Sequence, residues 1–257
     1  MTTIVKLTEA SAAYDDRPVL HDATFALHSG EVVAVLGANG SGKSTLVKTL
    51  LQVTKMTAGT LELFGVPADE FKDWARIGYV PQRLTVGGGL PATVREVVSS
   101  GRLSRLRRFH RMTAVDRAAI TDAIDVVGLD ELTARPMKQL SGGQQRRALI
   151  ARALAGQPDV LVMDEPMAGV DAANQRLLAE SLAKLVERGV TILLVAHELG
   201  PLAPLITRVV SVSEGRIVYD GAPEASGAGW EHGDVDAHPH DHERDRPARQ
   251  SGLGLMG

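Results

Sequence analysis

The sequence predicts an α/β fold, because apolar runs typical of buried strands alternate along the chain with helical patterns. Continuous apolar runs are typical of parallel strands that are covered on both faces of a sheet. Four segments share this pattern: Val32–Leu36, Ile77–Val80, Val160–Met163 and Thr191–Ala196. Apolar residues at helical spacing occur between them, for example over Asn174–Glu187. We therefore expect a parallel sheet with helices packed against it.

A second set of segments predicts a small antiparallel β subdomain beside this parallel core. In these segments apolar and polar residues alternate, as they do in strands with one exposed face. They are Ile4–Leu7, Thr24–Leu27, Thr60–Phe64, Val209–Val212 and Arg216–Tyr219. We assign the last two segments to the same antiparallel sheet, although they come late in the chain.

Residues from about 92 to 156 predict a helical subdomain inserted into the core. Thr113, followed by Asp116 three residues later, has the pattern of a capping box that opens a helix, and Gly128 follows at its expected end. From residue 223 onward the chain is rich in Gly, Ala, Asp, His and Pro, which predicts a disordered tail. We expect one folded domain over 1–222 and a His- and Asp-rich tail over 223–257.

The composition excludes several classes of protein. The chain of 257 residues has no cysteine, so disulfides and thiolate chemistry are excluded. Its formal net charge of −3 argues against a general nucleic-acid binder. No stretch approaches the roughly 18 consecutive apolar residues that would span a bilayer, and the N-terminus lacks the pattern of a signal peptide. We therefore expect a protein that is soluble or is held at a membrane by other subunits.

A glycine-rich loop after the first buried strand carries the strongest signal in the sequence. It reads Gly37-Ala38-Asn39-Gly40-Ser41-Gly42-Lys43-Ser44-Thr45 and opens a predicted helix over Ser44–Val53. Between a strand and a helix this pattern predicts a P-loop, whose backbone N–H groups and helix N-terminus bind nucleotide phosphates. Lys43 is expected to reach the β- and γ-phosphates, and the Ser44 hydroxyl to ligate Mg²⁺. The alternative is a chance glycine loop.

Polar side chains follow several of the predicted strands. Asp164 and Glu165 end one apolar run, and Gln82 and His197 come soon after two others. Asp164 is expected to hold Mg²⁺, and Glu165 to polarise an attacking water molecule as a general base. Since ligands of open α/β sheets bind outside the carboxyl ends of the strands, we expect these side chains at one edge of the sheet. A solvated turn at Asp164 and a structural histidine are the alternatives.

A second glycine-containing helix start follows at Leu140-Ser141-Gly142-Gly143-Gln144-Gln145. Ser141 and Gln144 can form a capping box, and the two glycines leave backbone N–H groups open to an anion. A helix cap without a ligand is the alternative. The chain thus has two phosphate sites but one loop with a lysine. This favours a homodimer that sandwiches two ATP molecules, each bound by one site from each chain.

In order and spacing these motifs resemble those of the ATP-binding cassette (ABC) ATPases, over nearly the whole chain to about residue 223. The resemblance implies a P-loop ATPase core that binds and hydrolyses ATP with Mg²⁺. Gly37–Thr45 is similar to the Walker A loop, and Tyr14 to the aromatic residue that stacks on adenine. Ser141–Gln145 resembles the signature that contacts the γ-phosphate held by the other protomer. The segment ending at Asp171 departs from the commoner Ala-Leu-Asp ending of the D-loop.

The resemblance also implies roles for the residues at the strand ends. Gln82 is similar to the glutamine that senses Mg²⁺ and the permease, and His197 to the histidine that contacts the γ-phosphate. Mg²⁺ would be held by Ser44, Gln82 and Asp164. The catalytic residues would be Gln82, Glu165 and His197.

The resemblance further implies a set of partners and a location. The partners would be a second ATPase subunit, integral membrane permease subunits and an extracytoplasmic metal-binding protein, with no nucleic acid. The protein would lie on the cytoplasmic side of the cell membrane as a peripheral subunit. DNA-maintenance relatives have a long coiled coil and translation factors two cassettes, and neither feature is present here. A P-loop kinase would share Gly37–Thr45 but has no need of Leu140–Gln145.

The tail carries a hint about the cargo. His232, His238, His240 and His242 lie among aspartate and glutamate residues. Imidazole and carboxylate together suit Zn²⁺ and, less well, Mn²⁺, Ni²⁺ or Fe²⁺. The alternative is a solvated acidic tail that binds no metal.

The body of the chain adds a second hint by resemblance. Val80–Arg83, Pro91–Val98, Gly101-Arg102 and Glu165–Asp171 are similar to segments of zinc and manganese uptake ATPases. The expected function is therefore the ATP-hydrolysing subunit of an importer for a divalent metal ion, zinc or else manganese. An ABC ATPase for a non-metal cargo, with an incidental tail, is the alternative.

The basic stretch Arg102–Arg111 allows two interpretations. It contains several arginines within the predicted helical subdomain. We expect a solvated helical face. The alternative is contact with a permease or with anionic lipid headgroups.

Overall fold

The computed structural model describes residues 1–14, 17–82, 92–106 and 111–223, and of Tyr14 it describes the backbone alone. These residues form two sheets, a group of helices and the segments that connect them. In chain order the strands are β1 (Thr3–Tyr14), β2 (Arg17–His28), β3 (Val32–Leu36), β4 (Met56–Leu63), β5 (Val66–Pro67), β6 (Ile77–Val80), β7 (Val160–Asp164), β8 (Thr191–Val195), β9 (Arg208–Ser213) and β10 (Arg216–Gly221). The α-helices are α1 (Lys43–Leu50), α2 (Val94–Ser100), α3 (Ala114–Val126), α4 (Gly142–Ala155) and α5 (Ala172–Glu187). Short 3₁₀ helices span Trp74–Arg76, Asp130–Leu132, Met137–Gln139 and Gly200–Leu205.

The larger sheet has the strand order β10-β9-β3-β8-β7-β6. Its strands from β9 to β6 pair in parallel, and β10 pairs antiparallel with β9. Strands β3, β7 and β8 are buried along their whole length, which explains their continuous apolar sequences. The predicted parallel core is confirmed.

This sheet is buried on both faces because a separate apolar core packs against each of them. Val32 and Ala34 of β3 pack with side chains of α2, α3, α4 and α5. Val33 and Val35, which point to the opposite face, pack with α1 and with the smaller sheet. That smaller sheet is antiparallel, in the order β2-β1-β4-β5. The α/β core, the antiparallel sheet and the helical region are therefore present as predicted.

The assignment of the two late strands to the antiparallel sheet is wrong. Strand β9 pairs in parallel with β3 and carries β10 on its other side, so both extend the larger sheet. The physical reason is that β9 is apolar on both faces. Val209 packs into the core on the helical side, whereas Val210 and Val212 pack into the core on the other side.

The helical segment contains the predicted capping box. Thr113 caps α3, with its side chain accepting from the Asp116 backbone N–H and the Asp116 carboxylate accepting from the Thr113 N–H. Gly128 follows the helix with a φ of +63°, in the left-handed region that favours glycine. Gly101 ends α2 against α4 so closely that a Cβ there would lie 1.8 Å from the Arg152 carbonyl oxygen.

The expectation that the basic stretch forms a solvated face is wrong for Arg102, which is buried, whereas Arg105 is exposed. Arg102 is 5 % exposed, and its guanidinium donates to Asp116 Oδ1 at 2.7 Å and to the Gln157 side chain at 2.9 Å. Arg105 donates to the carbonyls of Gly156 and Gln157. These arginines tie the end of α2 to the start of α3 and the end of α4. Residues 107–110 lie outside the described residues.

Residues Met1–Pro223 form one compact unit. The predicted tail, with His232, His238, His240 and His242, lies outside the described residues. In the part of the chain that the structure describes, no helix is both long and apolar enough to cross a membrane.

The Asp116 carboxylate is expected to make the stability of the fold depend on pH. Hydrogen bonds from the Thr113 side chain and backbone, followed by that from Arg102, lower the pKa of Asp116 to about 2. In the unfolded chain the pKa of an aspartate is about 4. The stabilisation is therefore complete above about pH 4 and is lost as the pH falls towards 2.

We expect Asp116→Asn to unfold at lower urea concentration than the wild type at pH 7, and the difference to shrink below about pH 4. Urea unfolding at pH 7, 5 and 3 measures this. Asp122→Asn on the same helix is the control, because the ion pair of Asp122 with Arg188 is exposed and adds little. A difference that stays constant with pH would contradict the assignment.

Candidate functional site

The glycine-rich loop joins β3 to α1 in a conformation that requires glycine. Gly37 has a φ of +150° and Gly42 a φ of +109°. A Cβ on Gly37 would lie 2.2 Å from the Val212 carbonyl oxygen. Gly42 is the N-cap of α1 and supplies no side chain to cap the helix, so the first N–H groups of α1 stay open to a ligand. Ala38, Asn39 and Gly40 form the exposed tip of this loop.

The turn between β9 and β10 contacts the backbone of the glycine-rich loop. Gly215 donates its N–H to the Ser41 carbonyl at 2.7 Å and accepts from the His21 N–H of β2 at 2.8 Å. Gly215 has a φ of +74°, and a Cβ there would lie 2.3 Å from the Val19 carbonyl oxygen. The loop is therefore fixed to both sheets through one glycine.

Lys43, the first residue of α1, is folded back into the loop. It is 4 % exposed, and its Nζ donates to the carbonyls of Gly37 and Ala38 at 2.7 and 2.8 Å. Burial lowers the pKa of Lys43, while the nearby Glu165 and Asp164 carboxylates oppose this change. A partly desolvated ammonium held among oxygen atoms is suited to bind phosphate oxygens.

Ser44 and Asp164 bring two oxygen ligands together at the start of α1 and the end of β7. The Ser44 hydroxyl donates to Asp164 Oδ1 at 3.2 Å. Asp164 is 3 % exposed, and burial is the largest cause of its raised pKa. A buried carboxylate beside a hydroxyl is an all-oxygen donor set of the kind that Mg²⁺ prefers. These residues therefore fit the predicted metal ion.

Three strand ends converge on the Glu165 carboxylate. Gln82 donates its Nε2–H to Glu165 Oε2, and His197 Nε2 lies 3.0 Å from Glu165 Oε1. Glu165 has a φ of +48°, in the left-handed region that is costly for a residue other than glycine. Its N–H donates to the Val195 carbonyl of β8 at 3.0 Å, which helps to hold this conformation.

A cavity of about 200 Å³ opens beside Glu165 and His197, with Met167 and Leu199 among its lining residues. This volume exceeds that of a single water molecule. A carboxylate at such a cavity can accept a proton from water. Together with the contacts of Glu165 to Gln82 and His197, this means that the three side chains lie next to one another, as expected.

The signature segment is arranged as a helix start. Ser141 caps α4 through a capping box with Gln144, as the sequence predicted. A Cβ on Gly142 would meet no atom within 4 Å, whereas a Cβ on Gly143 would lie 2.6 Å from the Asn174 side chain. Among the described residues, no hydrogen bond joins Ser141–Gln144 to the glycine-rich loop.

Two other predicted residues lie at the ends of elements. The backbone of Tyr14 ends β1 opposite Arg17, and the Tyr14 side chain lies outside the described part of the structure. Asp171 caps α5 by accepting from the Asn174 N–H at 3.0 Å, and the Asn174 bonds lower the pKa of Asp171. Asn174 also lies next to the start of α4, where a Cβ on Gly143 would lie 2.6 Å from its side chain.

The sequence-based interpretation missed Arg146 of α4, which contacts both strand ends that carry Gln82 and Glu165. A signal for it was present in the sequence. Arg146 lies four residues before the buried Ile150, so helical periodicity places it on the face of α4 that packs against the core. A charged residue at such a position requires polar partners.

Among the residues that the structure describes, no cluster of three or more His, Cys, Asp or Glu side chains is placed to hold a metal ion. The tail histidines are outside those residues.

Comparison with known proteins identifies the family. Residues 20–168 match the family model described as ABC transporter. The chain is 38 % identical over 224 residues to the zinc uptake system ATP-binding protein ZurA of Listeria innocua, covering 86 % of this chain and 87 % of that protein. It is 40 % identical over 196 residues to the manganese transport system ATP-binding protein MntB of Bacillus subtilis, covering 76 % of this chain and 77 % of that protein.

A solved structure agrees with these sequence matches. The dimeric bacterial ABC transporter cassette MJ0796 superimposes with a TM-score of 0.75 at 25 % identity, covering 85 % of this chain and 98 % of that one. The predicted ABC ATPase resemblance is therefore confirmed, both in sequence and in fold. With its glycine-rich loop, its signature helix and its strand-end carboxylates in one fold, this chain belongs to the ABC transporter family and is an ATP-hydrolysing cassette.

Proposed function

We propose that this chain is the ATP-hydrolysing subunit of an importer for a divalent metal ion, with zinc the favoured cargo and manganese the next. The observation that carries the cargo class is the similarity to ZurA and MntB over 86 % and 76 % of the chain. The convergence of Lys43, Ser44, Asp164 and Glu165 at one sheet edge supports the ATPase chemistry.

Nucleotide binding would use the open N-terminus of α1. Lys43 would exchange its bonds to the Gly37 and Ala38 carbonyls for bonds to the β- and γ-phosphates. Ser44, Asp164 and Gln82 would hold Mg²⁺, which neutralises charge on the phosphate oxygens when it is bound. Tyr14 would stack on the adenine.

Hydrolysis would be organised around Glu165. Its carboxylate would accept a proton from the attacking water, with Gln82 fixing one oxygen and His197 next to the other. His197 would also contact the γ-phosphate. The left-handed backbone of Glu165 supports such a role, because strained residues of this kind are concentrated at functional sites.

The second half of each site would come from a partner subunit. Ser141, Gly142, Gly143 and Gln144 lie at the start of α4, where Ser141 and Gly142 are exposed. Within the described residues this segment has no hydrogen bond to the glycine-rich loop of the same chain. Two chains arranged head to tail would each place this segment on the ATP of the other. The dimeric form of MJ0796 supports this arrangement.

Transport requires further subunits. We propose that the dimer docks on integral membrane permease subunits at the cytoplasmic side of the membrane, near Gln82. An extracytoplasmic metal-binding protein would deliver the cargo. ATP would favour the closed dimer over the open one, and this difference in affinity would move the permease between its states.

We propose in addition that His232, His238, His240 and His242 of the tail bind Zn²⁺. Alternating imidazoles among carboxylates offer suitable nitrogen and oxygen ligands. None of these four histidines is among the residues proposed above for the ATP site.

The proposed function predicts metal depletion in cells that lack this protein. Under metal limitation we expect a selective fall in cellular zinc, or else in manganese, as measured by elemental analysis that also covers iron and nickel. Wild-type protein should restore the metal and Lys43→Ala should not, since loss of a charge-assisted bond weakens phosphate binding about 10- to 100-fold.

Lys55→Ala is the matched control, because Lys55 is exposed and lies outside the loop. Restoration by Lys43→Ala would contradict the ATP-binding role of the loop. Unchanged levels of all four metals would favour the non-metal cargo.

The sandwich arrangement predicts a trapped dimer. Glu165→Gln keeps the shape of the side chain but removes the base, so bound ATP should persist and hold two chains together. Size-exclusion chromatography with light scattering should give a dimer with ATP and a monomer without it. The double variant Lys43→Ala, Glu165→Gln should stay monomeric. A persistent monomer of Glu165→Gln in ATP would instead favour a single-chain P-loop enzyme such as a kinase.

Metal binding by the tail is tested by replacing all four tail histidines with alanine. Calorimetric titration with ZnCl₂ should give binding to the wild type that is lost in the variant. The ATPase rate should be the same in both proteins. Equal zinc binding by both would mean that these histidines do not form the site.

A further inference from the structure

Arg146 of α4 is a buried arginine whose guanidinium N–H groups all donate hydrogen bonds to backbone carbonyls. It is 6 % exposed. Its Nε donates to the Pro166 carbonyl at 3.3 Å, its Nη1 to the Pro81 and Gln82 carbonyls at 2.6 and 3.0 Å, and its Nη2 to the Asp164 and Glu165 carbonyls at 2.6 Å each. An arginine has five N–H groups, so every donor has a backbone acceptor.

These contacts begin where the sheet stops. The β6–β7 ladder ends at the pair Val80 and Met163. Beyond that pair Pro81 and Gln82 follow the end of β6, and Asp164, the last residue of β7, pairs only with Val195 of β8 on the other side. Arg146 bonds to the carbonyls of both segments, and so it replaces the ladder with a side-chain bridge at the point where the site residues begin.

The bridge sets the distance between two groups of the site. Gln82 on one segment donates to the Glu165 carboxylate on the other. Glu165 also holds a left-handed φ of +48°, which needs support from its surroundings. Because no smaller side chain reproduces the five-donor fork of an arginine, carbonyls on both segments would lose their partner if Arg146 were replaced.

The electrostatics agree with a positioning role. Burial lowers the pKa of Arg146, and the Asp164 and Glu165 carboxylates oppose this change. A buried charge whose direct partners are carbonyls is a costly way to stabilise a fold.

Arg146 also connects this site to the signature end of α4. It lies five residues after Ser141, within the first two turns of the helix. The next residue, Arg147, donates to the Val127 carbonyl and so anchors the same turn to the end of α3. A displacement of the signature end of α4 would therefore be transmitted through Arg146 to Gln82 and Glu165.

We propose that Arg146 is a positioning residue for ATP hydrolysis, which holds the Gln82 and Glu165 segments at the separation that catalysis requires and links them to the signature end of α4. This inference rests on the roles proposed above for Gln82 and Glu165. It concerns the rate of hydrolysis and not the affinity for ATP, since among the described residues Arg146 has no hydrogen bond to the glycine-rich loop. It bonds to the backbone carbonyls of the proposed Mg²⁺ ligands Gln82 and Asp164 and leaves their side chains free for the ion.

The test compares steady-state ATP hydrolysis by the wild type with that by Arg146→Gln and Arg146→Lys. We expect kcat of Arg146→Gln to fall about 10- to 100-fold, because a misplacement of about 1 Å can cost about 100-fold. The KM for ATP should stay within about 2-fold. Arg146→Lys keeps the charge but has three donors in place of five, so its kcat should lie between those of wild type and Arg146→Gln.

Two matched controls separate positioning from charge and from stability. Arg152→Gln removes an exposed arginine from the same helix and should leave kcat and KM unchanged. Arg102→Gln removes another buried arginine, one that contacts Asp116 and no residue of the ATP site, so it should lower the melting temperature with no change in kcat. If Arg146→Gln does not fold, Arg146→Lys alone decides by the same criteria.

A kcat of Arg146→Gln equal to that of Arg152→Gln would overturn the inference, as would a fall in kcat/KM caused by a raised KM alone. Full activity of Arg146→Lys would show that charge suffices and would overturn the role of the five-donor bridge. Glu165→Gln is measured beside them. Its full activity would contradict the proposed role of Glu165, whereas an inactive Glu165→Gln with a fully active Arg146→Gln would contradict the Arg146 inference alone.

Discussion

The register of the parallel sheet is the constraint on which the remaining structure depends. Val35 of β3 pairs with Val195 of β8, and Val195 pairs with Asp164 of β7. The strands therefore end level with one another, and the loops that follow them start at the same edge. Because both faces of the sheet are packed with apolar side chains, a slip by one residue would move each side chain to the wrong core. The same packing that stabilises the sheet thus also fixes where the polar residues meet.

Beyond this edge the hydrogen bonds between strand backbones end, and hydrogen bonds from individual side chains hold neighbouring segments together. Arg102 and Arg146 are both buried, and both bond to carbonyls of neighbouring segments. They occupy different places: Arg102 joins helices to each other, whereas Arg146 joins α4 to the ends of β6 and β7. Polar contacts of this kind are directional, and they specify the arrangement of segments that apolar packing leaves free.

Local patterns were the most predictable part of the molecule. The buried strands, the capping boxes at Thr113 and Ser141 and the polar strand ends follow from short-range rules, and the structure has them. Strand β9 was misassigned because its consecutive residues Val209 and Val210 face different cores. The alternation of apolar and polar residues, from which the strand was predicted, does not show this. The burial of Arg102 and the five carbonyl partners of Arg146 could not be predicted, because those partners lie far away along the chain. The chemical roles proposed for the site residues follow from resemblance and geometry together.

The contact of Gly215 with the glycine-rich loop bears on how the sequence can vary. Turns between adjacent antiparallel strands usually tolerate insertions, since they project into solvent. The turn between β9 and β10 differs, because Gly215 is bonded to Ser41 on one side and to His21 on the other. A residue inserted there would displace the backbone that contacts the glycine-rich loop, although the insertion would lie more than 170 positions after that loop in the sequence. This short hairpin therefore has little freedom to change in length during evolution, and its outward appearance as a surface turn gives no sign of that restriction.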